Sequence, residues 1–266
     1  AWTTTPWTLP SNLGLTVGPN IDYVLVQTFN PYTHLPVHVI LAKNLISKYF
    51  KAEGENGDFD NYKADVKLLP WKIVAEFKGK DLEGMEYEQL LPSEANTLES
   101  IRGIVADANP FHVMIDSFVT TEDGTGIVHT APDFGADDFR VGQKNNLGYF
   151  TIINNRGQRE KLVLVDKQGK FVDGVGEFSG RYVKNYKDEP GYVDVNVDIA
   201  VKLKLENRAF KVEKYEHNYP HCWRTDKPII YYPLDAWFIK TSAVKDRMVE
   251  LNKTINWKPA STGTGR

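Results

Sequence analysis

The sequence predicts an α+β fold: a barrel-like, mostly antiparallel sheet core with interspersed helices. Three observations carry that expectation. IDYVLVQTF at 21–29 alternates apolar and polar side chains with the period of two that a half-buried strand needs. TTEDGTG at 120–126 sets an Asp-Gly turn signal between two apolar runs. Helical spacing appears in several segments, but strands and helices do not alternate in the strict βαβ order of a parallel sheet.

In chain order, Thr5 before Pro6 reads as a helix cap followed by a proline at the first helical position. In an extended segment, Thr3 and Thr5 face one side and Thr4 the other. After the strand at 21–29, HVILAKN at 38–44 reads as a second strand running into a short helix through Phe50. GENGDFDNYK at 54–63 is polar, carries two glycines and reads as an exposed loop. WKIVAEF at 71–77 and GMEYEQLL at 84–91 read as two strands turned at 78–80. FHVMIDSFV at 111–119 and GTGIVHTAP at 124–132 are expected to form a hairpin across the Asp-Gly turn. GADDFRVGQKNNL at 135–147 has helical spacing with acids in its first turn, and 195–210 is a second helix. The aromatic-rich stretches VEKYEHNYPHCW (212–223) and PIIYYPLDAWFI (228–239) read as strands, and 242–255 as a third helix capped by Ser242.

The totals narrow the function. The chain has 266 residues, 25% of them charged and 41% hydrophobic, enough for one large domain or a domain with an appendage. No apolar run reaches the length of a membrane span and no charged leader precedes one, so neither an anchor nor a secretory signal is expected. The single cysteine, Cys222, excludes an internal disulfide and a thiolate-rich metal site, and fits a reducing compartment. A net charge of −3 argues against a general nucleic-acid binder. There is no internal repeat. The abrupt WTTTPWTLPSN beginning and turn-rich ASTGTGR end read as those of a segment excised from something longer.

Chemistry is suggested at two places. In GTGIVHTAPDFGADD, His129 sits near a strand end, Pro132 breaks the ladder, and Asp137 and Asp138 fall in the next helix's first turn. A strand end feeding a helix N-terminus is a common place for polar groups to converge on a small ligand. The ordinary role of such acids, offsetting exposed N–H groups and the helix dipole, competes with this reading. In WTTTPWTLPSN, one cap needs one hydroxyl and three threonines are present; two on one side could hold a water or a ribose.

These residues carry a resemblance. WTTTPWTLPSN resembles the threonine-rich motif of the editing domain of isoleucyl-tRNA synthetases. GTGIVHTAPDFGADDF is similar to that family's second editing motif, and YPHCWRTDKPIIYY to the segment returning toward the synthetic core. Related valyl and leucyl editing domains carry arginine where Thr5 stands. The resemblance spans the whole chain and implies an editing domain at 1–217 and a return segment, strands and a helix, at 218–266.

The resemblance implies hydrolysis of valine misattached to isoleucine tRNA, or of valyl-adenylate. One missing methylene is worth only ~1–3 kcal/mol of binding, too little for a synthetic site to reject valine. By the family pattern, Asp138 binds the substrate ammonium and His129 limits the pocket. Thr3, Thr4 and Thr5 contact the adenosine end and the attacking water, Asn12 supports that loop, and Trp7 with Tyr219 walls the valine side chain. The expected partners are the CCA end of the tRNA and the adenylate, with no membrane, in the cytoplasm, and as a monomer. No cofactor is expected: the HxGH and KMSKS signatures are missing, so ATP and magnesium belong to a synthetic core outside this chain. Some family members place a zinc knuckle at Cys-Trp-Arg-Cys, but Thr225 takes the second thiolate's place here, so no zinc is expected. Two alternatives stand beside this reading: a free-standing editing hydrolase, and a noncatalytic tRNA-end binding module with the same fold.

Overall fold

Two short threonine-bearing strands and the turns around them position everything that follows. The structure is a computed structural model describing all residues except Lys67, Glu189, His217, Asp235, Gly265 and Arg266. The chain divides into two units, Ala1–Tyr232 and Pro233–Arg266.

The first unit opens with a 3-10 turn, Pro6–Ser11. Thr5 precedes it as expected and caps it through its carbonyl, which accepts the Thr8 N–H at 2.9 Å; its side chain makes no capping bond. Strand β1 (Gly14–Val17) follows, then β2 (Asp22–Phe29) and β3 (Pro36–Ala42). Helix α1 is short (Ile46–Tyr49), and β4 spans Lys72–Lys78. Next come helix α2 (Leu98–Arg102), strands β5 (His112–Ile115) and β6 (Ile127–Thr130), and helix α3 (Ala136–Lys144). A two-stranded ribbon, β7 (Thr151–Ile153) with β8 (Arg159–Lys161), precedes helix α4 (Val195–Leu205).

The strands form two three-stranded sheets, ordered β5-β1-β6 and β3-β2-β4. All pairings are antiparallel except β1 with β5. The α+β class and the largely antiparallel pairing are therefore present, but among the described residues no barrel closes. Closure needs one continuous ladder, and β1 and β2, though consecutive, are each the centre of a separate sheet. The sheets meet at one corner instead. The fully buried Tyr23 of β2 donates its hydroxyl to the Gly126 carbonyl at 2.5 Å, and the Ala42 N–H donates to the Thr125 carbonyl at 2.8 Å.

The expected hairpin between 111–119 and 124–132 does not form. β5 and β6 lie on opposite edges of β1, whose four residues are too few to announce a strand by alternation. The segment 84–91 is not a regular strand either; it runs beside β5 through a bridge at Glu86 and backbone bonds from Gly84 and Tyr87. The stretches 212–223 and 228–239 hold no strand among their described residues; one bridge, His221 with Pro228, is all that forms, and His217 and Asp235 lie outside the described residues. Aromatic side chains favour strands only where a neighbour pairs and covers them.

The main core joins Trp7, Leu13, Met114, Val141, Phe150, Phe171 and Ile199. α4 packs on the Pro6–Ser11 turn, and its Asn196 accepts the Trp7 N–H at 2.9 Å. This links α4 to the threonine segment across 189 residues of sequence.

The second unit holds a 3-10 turn at Thr241–Ala243 and helices α5 (Lys245–Asn252) and α6 (Ser261–Thr264). Ser242 lies inside that turn; the residue at the start of α5 is Val244, with no side-chain cap. Trp237, Phe238 and Ile239 are exposed. No helix among the described residues is long and apolar enough to cross a membrane.

Candidate functional site

Strand β6 pairs antiparallel with β1, setting His129 opposite Leu15. The chain then leaves the sheet at Ala131–Pro132 and enters α3, so the strand end and the helix start face one cavity of about 380 Å³. Thr3, Thr4, Thr5, His129 and Asp138 all line it. These are residues from the two ends of more than 120 positions of sequence, brought together by the β1–β6 ladder and by Trp2, which bridges to Val128.

The threonines are braced against one another. Thr3 Oγ1 accepts the Thr5 N–H at 3.0 Å and lies 3.4 Å from Thr5 Oγ1, so these two hydroxyls do share a side. Thr8, two residues into the turn that Pro6 begins, donates its hydroxyl to the Thr5 carbonyl at 2.8 Å. The Thr4 hydroxyl lines the cavity and bonds to none of the described residues.

His129 is buried and held at both ring nitrogens. Asn12 Nδ2 lies 2.8 Å from Nδ1, and Thr8 Oγ1 lies 3.0 Å from Nε2. An amide nitrogen can only donate, so Nδ1 is the acceptor and Nε2 carries the proton. The Thr8 oxygen, its own hydrogen committed to the Thr5 carbonyl, accepts from Nε2. Burial pulls the imidazole pKa down to about 4, so the ring is neutral at physiological pH. With one lone pair taken and the N–H engaged, this histidine presents a wall and not a free base.

Asp138 is the opposite case. It sits at the third position of α3, where its Oδ2 accepts the Ala131 N–H at 2.8 Å. A Cβ on Gly135 would come within 2.9–3.2 Å of the carboxyl group, so the glycine is what lets the side chain fold back there. Burial lifts the Asp138 pKa to about 6; the Ala131 N–H opposes this and the neighbouring Asp137 charge adds to it. Asp137 is exposed and paired with Arg140 at 3.2 Å. Asp138 pairs with no cation among the described residues. A half-buried carboxylate in a cavity with no counter-ion is a place prepared for a positive group.

Apolar lining comes from Trp2, Phe118, Phe134 and Ile127. Trp7 does not reach the cavity. It is core, packed edge-on against Phe134 with ring centroids 4.9 Å apart, and so backs the wall from behind. Tyr219 also lies outside the lining, its ring 4.2 Å from Lys184 Nζ. Asn12 is buried beneath the cavity as a support. Sequence reasoning passed over Thr8, Phe118 and Phe134. Thr8 had a signal, lying one turn beyond Thr5, and Phe134 lies inside the second motif.

Among the described residues no three His, Cys, Asp or Glu side chains are placed to hold a metal. Cys222 lies in a turn closed by its own carbonyl with Thr225 and Asp226, outside the cavity lining.

No family model matches the chain. The isoleucine–tRNA ligase of Cytophaga hutchinsonii is 54% identical over 279 aligned positions, covering 100% of this chain and 24% of that protein. The isoleucine–tRNA ligase of Bacteroides fragilis is 49% identical over 286 positions, again with 100% and 24% covered. That of Clostridium novyi is 40% identical over 266, with 100% and 20% covered. The chain spans about a quarter of the length of the first of these relatives. A crystal structure named GlLeuRS-CP1 superposes with a TM-score of 0.41 at 12% identity, over 80% of this chain and 83% of that one.

Proposed function

We propose that this chain, homologous along its whole length to one region of the isoleucine–tRNA ligases, is a hydrolytic proofreading site that removes valine from isoleucine tRNA and from valyl-adenylate. The observation that carries the reading is Asp138: a half-buried carboxylate, without a cation among the described residues, in a cavity also lined by hydroxyls and a neutral imidazole.

The substrate's free ammonium takes the place opposite Asp138, a charge-assisted contact that holds the carboxylate ionised. Its side chain lies against the apolar lining with His129 as the limit. Such esters are already reactive, so placing a water against the carbonyl carbon supplies much of the catalysis. The water's oxygen bonds that carbon; the carbon's bond to the ribose oxygen of the tRNA, or to the phosphate oxygen of the adenylate, breaks; and the water's protons pass to the departing ribose oxygen and to solvent. Thr3, Thr4 and Thr5 hold the water and the ribose end by hydrogen bonds. Trp7 acts, in this reading, only by supporting the wall through Phe134, and Tyr219 has no part in the cavity. Aminoacylation with ATP and magnesium is assigned to the parts of the ligase outside this chain, the return segment 218–266 leads toward them, and the cytoplasm is the setting.

Deacylation of Val-tRNA by a ligase carrying this region tests the proposal. Asp138→Ala is expected to lose roughly 2–4 kcal/mol of transition-state stabilisation, about 30- to 1,000-fold in kcat/KM. Asp137→Ala, whose carboxylate is exposed and paired, is expected to change it less than threefold, roughly the ±0.5 kcal/mol of an ordinary surface substitution. Equal rates for the two variants would sink the assignment.

A further inference from the structure

The wall that His129 forms separates two cavities. A second one, of about 460 Å³, is lined by Leu15, Ile40, Phe50, Leu203, Phe210 and others, and Asp138 does not reach it. His129, Trp2, Thr3 and Thr125 line both. A ring between two spaces has no packing reason to stay upright unless its bonds hold it, and one of those bonds depends on which end of the Asn12 amide faces it.

Tyr87 and the Gly14 carbonyl together settle that orientation. The Tyr87 hydroxyl donates to Asn12 Oδ1 at 2.6 Å, leaving Nδ2 to reach both the Gly14 carbonyl and His129 Nδ1, each at 2.8 Å. Burial pushes the Tyr87 phenol far above its ordinary pKa, so it remains a donor at every working pH. Tyr87 is itself fixed: its N–H donates to the Phe111 carbonyl at 2.9 Å, and its ring meets Phe111 edge-on at 6.1 Å. Phe111 has φ of 62°, a conformation that side chains of its size seldom adopt and that the surrounding bonds must enforce.

We infer that Tyr87 is a specificity-determining positioning residue: through the Asn12 amide it holds His129, as the Nε2–H tautomer, upright between the hydroxyl-lined cavity and the apolar one. The inference rests on the proofreading reading. Without the phenol the amide keeps its Gly14 anchor but loses the donor on Oδ1, and its hold on Nδ1 loosens. The loosened ring, neutral above its pKa, tilts toward the apolar space, and a side chain larger than valine's fits.

The experiment compares Val-tRNA and Ile-tRNA deacylation by a ligase carrying this region, wild type and Tyr87→Phe, from roughly pH 5 to 8, the range in which a freed imidazole titrates. Tyr87→Phe is expected to raise the Ile-to-Val rate ratio about tenfold, the scale of one methylene, and to make that ratio vary with pH, the Asp138 titration being common to both substrates and cancelling from it. Asn12→Asp keeps an acceptor for Tyr87 but calls for a proton on Nδ1, and is expected to show the same pH dependence. An Ile-to-Val ratio unchanged in size and constant with pH in both variants would overturn the inference. So would an equal fall in both rates, the mark of a merely structural role. A wild-type ligase that cleaves neither ester would overturn the proofreading reading, and this inference with it.

Discussion

Asp138 is a carboxylate kept where its charge is costly. Its pKa, lifted to about 6 mainly by burial, means the free site loses its anion as pH falls through that value. The kcat/KM for Val-tRNA, which reports groups of the free enzyme, is therefore expected to drop below about pH 6, while kcat alone holds to lower pH because a bound ammonium favours the carboxylate. The same shift has a stability sign. A carboxyl whose folded pKa is raised binds its proton more tightly folded than unfolded, so the fold gains stability as pH falls from about 6 toward 3.8 and is least favoured above 6. Asp138→Asn is expected to stabilise the domain by roughly 1–3 kcal/mol at neutral pH and by almost nothing near pH 4, read by denaturant melts, while editing is lost. A variant equally stable at both pH values and still active would contradict the assignment.

At the scale of elements, the start of α3 shows how little sequence a site needs. Gly135 has an ordinary extended φ of −157°, so its role is space for the Asp138 carboxyl and not backbone freedom. Gly135→Ala is expected to leave the melting temperature nearly unchanged, since a carboxyl end can move aside, yet to raise KM for Val-tRNA about tenfold; an unaltered KM would show that the carboxyl position does not matter. The helix itself was legible in GADDFRVGQKNNL, because acids at its start and regular apolar spacing are local signals. The hairpin was misread for the converse reason. Asp123-Gly124 is a true turn signal, but it says nothing of a partner from residues 14–17 entering between β5 and β6. The aromatic runs after Phe210 read as strands from composition, and composition does not supply a neighbouring strand.

Across the whole molecule, Thr3, Thr4, Thr5, His129 and Asp138 were legible as two motifs, but nothing local states that residues this far apart meet in one cavity. Nor does the spacing of Asn12 and Tyr87 tell that a single amide would link a loop, a strand and a histidine. Trp7 and Tyr219 were expected in the wall from the family resemblance; a core placement for Trp7 serves the same chemistry of burial, and Tyr219 lies against Lys184 instead. The net charge of −3 leaves little to hold a tRNA body. The isolated chain is therefore expected to deacylate Val-tRNA at least ~10-fold less efficiently than a full ligase, with a shallower salt dependence, because most phosphate contacts are missing; equal efficiency would assign those contacts to this chain. The central claim is that His129, neutral and bonded at both nitrogens, is a barrier. Its most direct test is parallel deacylation of Val-tRNA and Ile-tRNA by the full ligase carrying His129→Ala. The account predicts that Ile-tRNA, otherwise spared, becomes a substrate because the hydroxyl-lined cavity opens into the apolar one, while Val-tRNA is still cleaved. Collapse of Val-tRNA cleavage with Ile-tRNA left intact would instead make the histidine a base and contradict the account.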